Sequence, residues 1–283
     1  MALLKRSSTP KASAAADDPD GRMSLMDHLR ELRNRLFKMI IAVVAGTIVG
    51  LVFFDPIWDF MTGPFCRLPE AYRLGGDKCS LVVNSVTGGL FINLKVAFIF
   101  GAVVASPIWL YQIWAFVTPG LYRNEKRYSY TFLGLAVPLF LAGASLAYLT
   151  MDKGLSLLLG FAPDNSVPLI DVSEYLSFLM MMLLIFGVSF LLPLLLVFLN
   201  LIGVVRYQAV AKHQRMVVFG FFVFAAVATP SQDPFTMLAL ALPMIALFFV
   251  AEAFMYFHDK RADAAAALKA RQIEEELDGT PSE

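Results

Sequence analysis

Two carboxylates set among arginines are the residues of this chain best suited to chemistry. Glu31 stands in His28-Leu29-Arg30-Glu31-Leu32-Arg33-Asn34-Arg35, and Glu125 in Tyr122-Arg123-Asn124-Glu125-Lys126-Arg127. A carboxylate accepts two parallel, charge-assisted hydrogen bonds from one guanidinium, a geometry that an ammonium group cannot copy. Two such acids on different helices but on one face would therefore read a pair of arginines in preference to lysines. Each acid also has a plainer reading. Glu31 can pair with Arg35 at i, i+4, worth ~0.3 kcal/mol, and Glu125 stands where the start of a helix favours negative charge. The residues alone leave both readings open.

Histidine occurs only at positions 28, 213 and 258, outside the long apolar runs. An intramembrane hydrolase needs a base beside its nucleophile, and a metalloprotease needs clustered histidines or paired carboxylates. Neither constellation is present, nor is a G-x-x-x-x-G-K-[ST] phosphate loop. The sequence points to a protein that binds or conducts and is not an enzyme, with no metal, cofactor or nucleic acid expected. Cys66 and Cys79 are the only cysteines. In an oxidising exterior a disulfide there would contribute about 3 kcal/mol on the loop-entropy account. Two unpaired thiols are the alternative, whereas no nearby His or third Cys suggests a metal site.

The elements that must position these acids are membrane spans. Of the 283 residues 58% are apolar, gathered in six stretches near the ~20 residues that cross a bilayer: 37–54, 91–117, 130–151, 175–201, 216–229 and 235–257. Continuous apolar runs are helical in lipid, because backbone groups must be satisfied within the segment. The fifth is short, and Thr229-Pro230-Ser231-Gln232-Asp233-Pro234 joins it to the sixth as a tight hairpin. Eighteen of the 23 Lys and Arg residues fall in the two terminal segments and in the links after the second and fourth spans. That bias predicts both termini on the cytoplasmic side. Lys95 and Glu252 are the charges near span ends, and each reads as a flanking charge that can snorkel to the interface. Residues 1–22 are expected to form a disordered lead and 259–283 a charged, partly helical tail. Met26, Leu29, Leu32 and Leu36 recur at helical spacing, which predicts an amphipathic interfacial helix feeding the first span.

The stretch Ser24-Leu25-Met26-Asp27-His28-Leu29-Arg30-Glu31-Leu32-Arg33-Asn34-Arg35 resembles the N-terminal signature of the TatC family, the signal-peptide receptor subunit of the twin-arginine protein translocase. So do Ser106-Pro107, the run Tyr111-Gln112-Ile113-Trp114-Ala115-Phe116-Val117-Thr118-Pro119-Gly120-Leu121-Tyr122 with Glu125, Phe186-Gly187-Val188-Ser189-Phe190 with Pro193, and Thr229-Pro230 with Asp233. The likeness runs from about Met23 to Lys260. It implies a concave, glove-shaped bundle of six helices in the cytoplasmic membrane of a bacterium. It further implies that Glu31 and Glu125 contact the twin arginines of a signal peptide, with Arg33, Phe116, Pro119 and Arg123 around them. The partners implied are the single-span subunits TatA and TatB, further copies of the receptor, and folded cargo exported on the proton-motive force. The Cys-bearing first loop and the Ser-Gln pair before Asp233 resemble actinobacterial members in particular.

The chain departs from the family pattern in three places. Many members carry a glutamate directly after the Phe-Gly-Val-Ser-Phe run, where this chain has Leu191. In the polar cluster through which the family docks TatA and TatB, Thr229 and Asp233 match, while Met237 stands where some members have Gln. Glu252, the acid of the last span, is displaced by about one helical turn. The Leu191 departure bears on any pairing of that acid with TatA or TatB within the bilayer, and the alternative to the receptor is a six-span secondary transporter or channel without twin-arginine recognition.

Overall fold

The computed structural model describes residues 25–68, 81–117, 126–161, 163, 170–231 and 233–278. All regular elements among them are helices: α1 (Leu25–Val52), α2 (Phe54–Cys66), α3 (Gly88–Val104), α4 (Ser106–Val117), α5 (Lys126–Leu159), α6 (Val172–Ser189), α7 (Leu191–Leu201), α8 (Tyr207–Lys212), α9 (Gln214–Ala228) and α10 (Pro234–Asp278). Six apolar passages result. They are α1, the pair α3–α4, α5, the continuous pair α6–α7, the shorter α9, and α10. An isolated parallel bridge, Val82 with Asp171, ties the entry to α3 to the entry to α6.

Three prolines explain three breaks. Pro56, Pro107 and Pro193 cannot donate to the carbonyls of Val52, Val103 and Ser189, so the helical ladder loses a bond just N-terminal to each. The chain breaks at Phe53, Ala105 and Phe190. At Ala105 the bend is sharp, 59°, and the Trp109 indole donates to the carbonyl of Ala102 at 2.8 Å. That bond occupies a carbonyl in the last turn of α3. Pro138 and Pro243 lie inside the unbroken α5 and α10. The expected interfacial helix is part of α1: no proline or glycine interrupts 25–45, so one helix runs from the charged stretch into the span. The helix α2, which the apolar pattern of the spans did not foretell, packs Ile57, Met61 and Phe65 into the core.

Small residues set how closely the helices pack. Gly46 and Gly50 of α1 face Gly101 and Ala97 of α3, so near that a Cβ on Gly101 would lie 2.5 Å from the Thr47 nitrogen. A Cβ on Gly143 of α5 would lie 2.5 Å from the Phe186 carbonyl oxygen of α6, and Phe140 covers Gly187. Such contacts replace the hydrophobic drive that lipid cannot supply. Around them a core of Phe186, Tyr175, Leu179, Met182 and Phe248 is fully buried, with the Tyr175 hydroxyl donating to the Met61 carbonyl at 2.6 Å. Near the α4 end, Trp114 stacks on Phe132 at 3.6 Å and meets Phe198 edge-on at 4.0 Å.

Candidate functional site

The first turns of α1 are rich in Leu, Arg and Glu, long-chained residues that favour helix, and Glu31 and Arg35 fall one turn apart. Arg35 donates to Glu31 Oε1 through Nε at 2.9 Å and through a terminal nitrogen as well. The plainer reading of Glu31 is therefore present in the structure. It does not use up the carboxylate, since Oε2 is buried and has no hydrogen-bond partner among the described residues. A shielded acceptor without a donor is costly and stands ready for an N–H from outside.

α4 supplies the second wall. The His28 ring of α1 stacks on Phe116 of α4, centroids 4.5 Å apart, so the C-terminal end of α4 lies against the turn that carries Glu31. One turn back from Phe116, Gln112 is buried with its Oε1 also lacking a donor. Gln112 is a neutral residue among apolar ones, and the sequence carries no local signal that singles it out. Arg33 lies on the exposed side of α1. Pro119, Arg123 and Glu125 lie outside the described residues. The face thus brings Glu31, Arg35, His28, Phe116 and Gln112 to one helix junction.

A second polar group gathers at the α9–α10 hairpin. Asp233 caps α10, its Oδ1 accepting the Thr236 N–H at 2.8 Å and its Oδ2 accepting the Thr236 hydroxyl. Ser231 and Thr236 share a hydrogen bond of 2.6 Å, and the Thr229 hydroxyl donates to Ala225 O at 2.9 Å. Burial acts to raise the Asp233 pKa, but hydrogen bonds from Ser231, Thr236 and the Phe235 N–H outweigh it and hold the carboxyl below its ordinary value. Met237 follows in the first turn, packed against the core. Glu252, though buried, lies fifteen residues further along α10, about 22 Å away, so the structure does not bring it to the hairpin.

The remaining positions fall elsewhere. Leu191 packs on the Trp114, Phe132 and Phe198 cluster. Cys66 is disulfide-bonded, and Cys79 lies outside the described residues. Lys95 does not simply reach for the interface but donates to Ser173 and Ser177 of α6. Where α7 turns into α8, Asn200 Nδ2 donates to Val205 O and to Asp259 Oδ1, both at 2.9 Å, and Tyr207 N–H donates to Asp259 Oδ2 at 2.7 Å. This clamp fixes the α7–α8 link to α10. Its members are about 60 residues apart, and no local pattern announces them.

Comparison with known proteins places the chain in one lineage. The family model of the Sec-independent protein translocase protein (TatC) matches residues 27–243. The Sec-independent protein translocase protein TatC of Frankia casuarinae is 46% identical over 247 residues, covering 86% of this chain and 68% of that protein. The TatC of Xylanimonas cellulosilytica is 42% identical over 262 residues, covering 92% and 94%. Both sources are actinobacteria, in line with the first-loop resemblance. A crystal structure of the twin-arginine translocase receptor TatC, crystallised in DDM, superposes with a TM-score of 0.64 at 30% identity, covering 81% of this chain and 99% of that one.

Proposed function

The chain belongs to the TatC family of Sec-independent protein translocase proteins, and from that premise we propose that it is the core receptor of a twin-arginine translocase. In this reading it binds the paired arginines of a signal peptide at the face where α1 meets α4, with Glu31 and Glu125 as the two acceptors. Arg33, Phe116, Pro119 and Arg123 border them. The observation that supports it best is Glu31 itself: one oxygen is steadied by Arg35, and the other is buried without a donor. An incoming guanidinium completes that carboxylate's hydrogen bonds with a planar fork of donors, a geometry that the compact, strongly hydrated lysine ammonium lacks.

The basic bias of the links supports an orientation with this face in the cytoplasm of a bacterial inner membrane, the side on which a folded cargo presents its signal. TatA and TatB then assemble along the α9–α10 hairpin, using Thr229, Asp233 and Met237, with Glu252 contributing further along α10. Export is driven by the proton-motive force, and receptor copies associate within the assembly.

The test is peptide binding to the purified protein in detergent, by anisotropy of a labelled signal peptide. A charge-assisted hydrogen bond is worth about 1.5–3 kcal/mol. Changing Arg-Arg to Lys-Lys, or making Glu31→Ala with Glu125→Ala, should therefore weaken binding by at least about tenfold. Unchanged affinity in either arm refutes the receptor reading.

A further inference from the structure

Lys95 sits in α3, about two turns after its start at Gly88, and is tied across to the first turns of α6. Its Nζ donates to the Ser173 carbonyl at 3.0 Å, to Ser173 Oγ at 2.8 Å and to Ser177 Oγ at 2.8 Å. All three acceptors are neutral. The ion pairs among the described residues join Glu31 with Arg35 and His258 with Asp259, and neither reaches Lys95. Asp171, two residues before Ser173, directs its oxygens to the backbone N–H groups of Ser173 at 2.7 Å and Asn84 at 3.3 Å. Glu174 is exposed. A cation at this depth with hydrogen bonds but no countercharge is costly in a bilayer and marks a functional position.

The ammonium opens onto a groove. Lys95 and Ser173 line a cavity of about 680 Å³ whose other walls come from Val44 and Leu51 of α1, Phe91 and Phe98 of α3, and Met180 of α6. The α1 wall runs seven residues, about 10 Å or two helical turns. Several of these apolar side chains are about half exposed on the free protein. Leu51 and Phe91 lie on the α2 side of Lys95, and Val44, Phe98 and Met180 on the other. The cation is therefore flanked by apolar surface above and below.

We propose that this groove is the docking site of a transmembrane helix from another polypeptide, bearing a single carboxylate at the level of Lys95. Charge complementarity selects an acid. The apolar rim selects its carrier: a lipid phosphate lives at the membrane surface and would have to sink past Phe91 and Leu51, whereas a helix carries an acid with apolar residues one turn above and below it. The bound carboxylate takes over one of the three Lys95 N–H donors now spent on the serines and accepts from the Ser173 hydroxyl. The groove is built by α1, α3 and α6, apart from the α9–α10 hairpin, and the inference does not depend on how the twin-arginine signal is read.

The experiment uses the full-length protein in lipid nanodiscs with a photo-crosslinking residue at position 98. The probe is a synthetic single-span Leu/Ala helix with one Glu about seven residues from one end of the span, compared with the same peptide carrying Leu there. The Glu peptide should cross-link at least tenfold better. Lys95→Met should abolish that difference and Lys95→Arg should keep it. Leu94→Trp, which fills the groove and leaves the ammonium in place, should block cross-linking, so that the question is decided even if Lys95→Met fails to fold. Equal yields from the Glu and Leu peptides, full cross-linking in Leu94→Trp, or displacement of the Glu peptide by anionic lipid would overturn the proposal. Cross-linking that persists in a protein unable to bind a twin-arginine peptide would leave it standing.

Discussion

At the scale of single residues, the distinction between acids that were visible in the sequence and polar groups that were not has a physical cause. Glu31 stood out because an acid inside a basic cluster needs an explanation, and the structure supplies an i, i+4 pair that leaves one oxygen over. Lys95 was visible only as a flanking charge, because its partners lie 78 and 82 residues away, beyond any local period. Asp233 was legible as a family residue but not as a cap with several donors. Its folded-state pKa is lowered, so the stability it contributes is present above the ordinary carboxylate value of about 3.9 and is lost as pH falls through the folded value. Thermal unfolding in detergent should show the hairpin weakening below about pH 4. Asp233→Ala should cost about 1 kcal/mol at pH 7, as for a lost cap, and should flatten that acid limb; an unaltered limb would place it on other groups. Leu191 is the converse case, an apolar residue where many relatives carry an acid. Because it packs on Trp114, Phe132 and Phe198, Leu191→Glu should lower stability by about 2–3 kcal/mol with no gain in export per folded molecule. Higher export would instead show that the missing acid limits this protein.

At the scale of elements, the span positions follow from apolar length, since a bilayer admits few alternatives. The breaks are less legible. Prolines at 56, 107, 138, 193 and 243 lie within or just after apolar helical stretches. Only those at 56, 107 and 193 accompany an interruption, and at 107 the Trp109 indole provides a donor for the disturbed turn. Glycines divide in the same way. Gly46, Gly101, Gly143 and Gly187 sit where a Cβ would collide with a neighbouring helix, whereas Gly134 and Gly220 have nothing within 4 Å. Sequence spacing could nominate all of them but could not choose, because the choice depends on which helices become neighbours. Gly101→Leu should therefore cost about 2 kcal/mol or more through overpacking, read as a lower unfolding temperature. Gly134→Ala and Gly220→Ala should be neutral or stabilising by up to about 1 kcal/mol through helix propensity. Equal losses at all three positions would contradict the packing assignment.

At the scale of the whole molecule, orientation decides what the site can meet. The geometry of the helices is the same whichever way they cross, so direction must come from charge. Eighteen basic residues fall on the α1 N-terminal, α4–α5, α7–α9 and C-terminal side, against five on the other, although the formal net charge is zero. The sparse side carries acids such as Asp55, Asp59, Asp152, Asp171 and Asp233, and further acids stand among the basic residues of the other side, so the total cancels while the Lys and Arg bias stays intact. Lys and Arg near spans govern insertion and acids contribute little, so the imbalance persists where net charge hides it. The prediction is that Glu31 faces the cytoplasm and Asp233 the exterior. With Cys66 and Cys79 both changed to Ser, one new cysteine at Ala264, in the exposed extension of α10, should react with a membrane-impermeant maleimide only after the cells are opened. A cysteine at Ser85, in the approach to α3, should react in intact cells. The reverse pattern would carry the Glu31 face to the outside, where no cytoplasmic signal peptide could reach it, and the receptor reading would fall with the orientation.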